Sequence, residues 1–106
     1  MWIRSAYWIG EVKPGRKHEF RAVIDGEMVP ALQGLPGVRS VRALWPMRPE
    51  ENAPKIVCQL LVEFDDRDGI DLMLASAERL ALRSGVGAKV PPLFDGQLSH
   101  IDCEVL

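Results

Sequence analysis

Hydrophobic and polar positions along this chain alternate between two periods. Residues 2–12 (WIRSAYWIGEV) are dense in aromatic and β-branched types and stop at Lys13-Pro14-Gly15, which predicts a first strand. From Arg16 the period lengthens. Phe20, Val23, Ile24, Met28, Ala31 and Leu32 fall near one helical face, with Lys17, Glu19, Arg21 and Asp25 elsewhere. Gly26 weakens that helix and Pro30 disfavours helical geometry at Val29, so a kink or break is predicted between them. Gly34-Leu35-Pro36-Gly37 has turn chemistry, with Pro36 and Gly37 at the central positions, and residues 38–45 (VRSVRALW) form a second strand. A loop over 46–54 carries three prolines, and 55–64 (KIVCQLLVEF) make a third strand. Asp65 to Asp68 supply capping carboxylates for a second helix, whose stripe is Ile70, Met73, Leu74, Ala77, Leu80 and Ala81, ending at Gly85. After an irregular connection over 86–96, the last strand runs over 98–105.

The order β-α-β-β-α-β in one domain predicts an α+β, ferredoxin-like sandwich: a four-stranded antiparallel sheet with both helices on one face. Side-chain alternation assigns faces. In the third strand Ile56, Cys58, Leu60, Val62 and Phe64 are assigned to the helices; in the second, Val41 and Ala43, with Ser40, Arg42 and Leu44 opposite. The first strand is ambiguous, because Trp2, Ala6 and Trp8 compete with Ile3, Tyr7 and Ile9. In the last strand Ile101, Cys103 and Val105 are assigned to the core, which sends His100, Asp102 and Glu104 to the open face. An open face with apolar content and no chain left to cover it predicts a homodimer, sheet against sheet.

Composition narrows the function. With 106 residues there is room for one domain, residues 1–106. The chain is 47% hydrophobic and 26% charged with net charge −2, which disfavours nucleic acid as a partner. No basic leader precedes a short apolar run and no stretch approaches a membrane span, so no membrane partner and a cytoplasmic location are expected. Cys58 and Cys103 are expected as reduced core thiols, held apart by the intervening first strand. They form no zinc spacing, and the charge run at 65–68 is a helix start rather than a metal site, so no cofactor or metal is expected.

The stretches YWIGEVKPGRKHEF, LPGVRSVRALWP and LFDGQLSHIDCEVL together resemble the dimeric α/β-barrel superfamily, and within it EthD-type proteins. The resemblance implies two ferredoxin-like subunits packed sheet to sheet, with ligands between a sheet and its helical or partner cover. Activities in the superfamily include cofactor-free monooxygenases, lactone isomerases, small lyases and haem-binding enzymes. EthD-like sequences often carry His-x-Pro late in the first helix; here IDGEMVPAL has no histidine, so no catalytic role is carried over from it. Residues 70–83 also lack a histidine for a haem.

His100 is the only histidine on a strand face and is the candidate general base; His18, in the first helical turn, is expected in solvent. Arg42 is the candidate catalytic partner for a carbonyl or enolate oxygen, and Gln59, Asp102, Glu104, Tyr7 and Trp8 are candidate ligand contacts. The same polar residues also fit a solvated or interfacial sheet face. Two functional classes follow: a cofactor-independent proton-transfer enzyme acting on a small hydrophobic or aromatic oxo compound, and a non-catalytic homodimer that binds such a molecule or serves a pathway enzyme.

Overall fold

Prolines and glycines set the corners of the chain. Pro14-Gly15 and Pro36-Gly37 occupy the centres of two tight turns, with φ +76° at Gly15 and +81° at Gly37, the geometry a type II turn demands at its third residue. The computed structural model describes residues 1–106. Strands β1 (Trp2–Val12), β2 (Val38–Leu44), β3 (Ile56–Phe64) and β4 (Phe94–Glu104) form one antiparallel sheet in the order β2-β3-β1-β4. The predicted sandwich, with the first strand between the third and the last, is therefore that of the protein.

The predicted break in the first helix is a change of helix type. Helix α1 (Lys17–Val23) passes into a π-helical turn, Ile24–Met28, and then α2 (Val29–Gln33). Pro30 donates no bond to the preceding turn and Gly26 permits the widening, so the backbone is continuous but rewound. The second helix divides as well: α3 (Arg67–Leu74) is capped by Asp66, which accepts from Gly69 N at 2.9 Å, and α4 (Ala77–Ser84) is restarted by Ser76, which accepts from Arg79 N at 3.1 Å. This restart rotates the helical phase. Ile70 and Met73 are buried as predicted, but Leu80 is 67% exposed, and Leu82 turns inward instead. Short 3₁₀ turns at Val86–Lys89 and Pro91–Leu93 lead into β4, which begins four residues earlier than predicted.

The core lies between the sheet and the helices. Phe20 meets Trp8 and Trp45 edge-on at 6.3 and 6.0 Å and stacks on Phe94 at 5.8 Å, and Cys58, Leu60 and Ile24 close the layer. A second cluster, with Phe64, Ile70 and Met73, fills the other end. The β3 assignment holds for Cys58, Leu60, Val62 and Phe64, while a bulge at Val57 pairs Ile56 with Ile9 and takes it off that face. In β1 the ambiguity resolves in favour of Ala6 and Trp8 inward.

β4 corrects the sequence reading. Its register with β1 is unbroken and sets His100 opposite Ala6, Leu98 opposite Trp8, Asp102 opposite Arg4 and Glu104 opposite Trp2. Directly opposed residues share a face, so His100, Asp102 and Glu104 lie on the helix side, and Ile101 and Cys103 on the open side. Both Ile101 and Cys103 are exposed; Cys103 is not a core thiol.

Candidate active site

The helix side of β1 and β4 is not fully covered. Between it and α4 with the Val86–Lys89 turn lies a cleft of about 660 Å³, with Trp8, Leu60 and Phe94 on the sheet side and Met28, Leu82 and Val90 from the opposing segments. The rewound first helix delivers Met28, and Glu27 of the same turn pairs with Lys89, which ties this wall to the 3₁₀ turn. Gly10 and Gly96 face one another across β1 and β4 with φ of +142° and +151°. A Cβ on Gly96 would stand 2.1 Å from the Ile9 carbonyl oxygen, so only glycine permits this approach, and Gly96 lines the cleft.

Polar groups gather at the mouth. His100 projects from β4, Arg4 from β1, and Arg79 and Arg83 from α4; no aspartate or glutamate lines the cleft. Arg4 Nη1 donates to Asp102 Oδ1 at 2.9 Å, which compensates that one cation. His100 stays accessible, yet partial desolvation, together with Arg4 and Arg79, pulls its pKa below 6.5; Asp102 opposes the shift and Arg83 adds to it. Its imidazole is therefore neutral at pH 7, with a free lone pair available to a ligand.

The sequence-predicted residues divide between two faces. Trp8, His100 and Asp102 belong to the cleft side, Trp8 as its floor and Asp102 through Arg4. Glu104 shares that side but lies beyond the cleft lining. Arg42, Gln59 and Tyr7 occupy the open face, where Arg42 Nη2 donates to Glu63 Oε1 at 2.7 Å and Tyr7 pairs with Gln59. The sheet thus separates Arg42 from His100, and the two do not meet within one subunit.

Sequence reading missed Arg4, Arg79 and Arg83. Arg4 shares the parity of Ala6 and Trp8, a charged residue on an otherwise apolar strand face. Arg79, Leu82, Arg83 and Val86 recur at helical spacing once Ser76 is taken as a new N-cap. Both signals were present in the residue order. The molecule's other nucleophile on the core side is inert: burial, with Asp25 adding to it, pushes the Cys58 thiol up to about 12. No cluster of three or more His, Cys, Asp or Glu side chains is placed to hold a metal ion.

No protein-family profile and no curated protein sequence matches the chain. Solved structures do match. An EthD family protein from Bacillus halodurans C-125 shares 15% identity over 100% of both chains with a TM-score of 0.75. A dimeric protein of unknown function and ferredoxin-like fold from Bacteroides fragilis shares 18% over 98% of this chain and 96% of its own, at 0.61. A putative antibiotic biosynthesis monooxygenase from Nitrosomonas europaea shares 15% over 100% and 99%, at 0.63. With its four-stranded sheet and partly covered helix-side cleft, the chain has the ferredoxin-like fold shared by EthD-type and monooxygenase-like proteins, in keeping with the resemblance of its sequence.

Proposed function

We propose that the cleft binds a small hydrophobic oxo compound and that neutral His100 removes a proton next to its carbonyl. The observation that carries this reading is a histidine engaged by no side-chain hydrogen bond, at the mouth of an apolar cleft and beside cationic groups. Apolar walls hold the body of the ligand, and a cation near the carbonyl stabilises the enolate oxygen as it forms. That role passes from Arg42 to Arg4, the cleft-side arginine of β1 that acts most strongly on His100. The test is deuterium incorporation from D2O into 2-tetralone, an aromatic-fused ketone with acidic C–H groups, followed by proton NMR. His100→Ala is expected to lower enzyme-dependent exchange about 10²-fold or more, and Arg42→Gln to leave it unchanged. Equal exchange with the wild type and His100→Ala contradicts the role.

The open face supports a homodimer. Leu44 and Ile101 are exposed there, with Ile3, Tyr7 and Leu61 on the same side, and the Bacteroides fragilis neighbour is described as dimeric. Apolar surface of this kind is stabilised by burial against a second copy. Sedimentation velocity of the wild type is expected to give a dimer, and of Ile101→Arg a monomer.

A further inference from the structure

From the cation arrangement over the cleft we infer that its ligand carries a carboxylate, held by Arg79 and Arg83 of α4 while the apolar body lies against Trp8 and Leu60. This rests on the cleft being the binding site, and it adds the chemical class of what binds.

Arg79 and Arg83 stand at i and i+4 on the face of α4 that looks into the cleft. Side chains at that spacing are neighbours, with Cβ atoms about 5–6 Å apart, and like charges there repel by a few tenths of a kcal/mol. A structural pair of cations would be expected to have carboxylates at hand. Seven ion pairs join charged groups in this protein, and neither Arg79 nor Arg83 takes part in any of them. Asp102, on the strand face that carries His100, is already engaged by Arg4. Two uncompensated guanidinium groups therefore overhang an apolar floor, in a chain whose net charge is −2.

The C-terminal dipole of α4 favours a cation at Arg83, in its last turn, but gives no reason for Arg79 one turn earlier. A phosphate dianion is typically held by a helix N-terminus or a nest of backbone N–H groups, whereas the Arg79 N–H in the first turn of α4 is already taken by Ser76 and α4 meets the cleft with side chains, Arg79, Leu82 and Arg83. Guanidinium forks are then the anion-binding groups present, and the carboxylate is the planar group those forks match. A head group at α4 and a body on the sheet also leave His100, which projects from β4, on the same side of the cleft as the body of the ligand.

The test compares 2-naphthoate with 2-naphthamide, two probes of equal body that differ in charge, by isothermal titration calorimetry at low ionic strength. The wild type is expected to bind the carboxylate at least about tenfold more tightly. In Arg79→Gln/Arg83→Gln that advantage is expected to disappear, with amide affinity kept as the sign that the cleft is intact. Equal affinity for the two probes in the wild type overturns the carboxylate inference while leaving the cleft as a binding site. A carboxylate advantage that survives the double substitution overturns it too, since another cation would then hold the anion. Binding of neither probe removes the cleft reading and the inference together. 2-Naphthyl phosphate is the third probe: binding tighter than the carboxylate's would overturn the assignment of the anion class.

Discussion

β3 and β4 both neighbour β1, and both alternate apolar and polar residues, yet alternation gives the right face for most of one and the wrong face for the other. β3 lies inside the sheet under the helices, so its core-side residues Cys58, Leu60, Val62 and Phe64 are all buried. β4 is an edge strand beside a cleft, and all of its residues after Phe94 are exposed or half-buried. Burial drives alternation toward apolar-inward only where something covers the strand. On β4 the cleft side carries His100 and Asp102, and the apolar residues Ile101 and Cys103 are left for the open side. A polar parity pointing inward marks the site rather than the surface.

The contrast can be broken with core truncations. Leu60→Ala on β3, where the side chain is 1% exposed, is expected to lower stability by about 2–5 kcal/mol in urea unfolding. Leu98→Ala on β4, 48% exposed, is expected to cost no more than about 0.5 kcal/mol. Comparable losses at both positions would mean that β4 is covered after all. Gly96→Ala is the exception expected on β4: its φ of +151° and the Ile9 carbonyl leave no place for a Cβ, and a loss of roughly 1–3 kcal/mol should accompany a distorted cleft.

Two smaller effects sharpen the picture at the cleft. Ser76→Ala removes the cap that restarts α4 and is expected to cost about 1 kcal/mol, while disturbing the phase that aims Arg79 and Arg83. The titration of His100, followed by the imidazole C–H resonances, is expected to have its midpoint below 6.5. Because its folded pKa is depressed, the unfolded chain binds the proton more readily: the stability linked to His100 is fully present above about pH 6.5 and is lost as pH falls through the folded midpoint. Exchange of the ketone proton should rise with pH across that midpoint and be level by pH 7. Arg79→Gln should move the midpoint up and Asp102→Asn should move it down.

Much of the fold was legible in the residue order, because turn chemistry and burial act locally. Pro36-Gly37, the Asp66 cap and the interruption between Gly26 and Pro30 each left a direct mark. The π-helical form of that interruption did not, since it depends on how the rewound turn packs. The break at Ala75-Ser76 was hidden because helix-forming residues flank it, and reading through it put Leu80 inside and left Arg79 unnoticed. For the site, His100 was found from its type alone. Its face was misassigned because an edge strand beside a cleft reverses the usual meaning of polarity, and Arg42 was drawn to it by the same inversion.

Ligand entry on the helix side of β1 and β4 can be followed residue by residue in two-dimensional ¹H–¹⁵N NMR during a 2-tetralone titration. Perturbations confined to the amides of Arg79, Arg83, Gly87, Ala88 and Gly96, with the His100 ring responding, are the predicted result. Perturbations centred on Arg42 and Leu44 of β2, with α4 silent, would contradict it and return the site to the open face of the sheet.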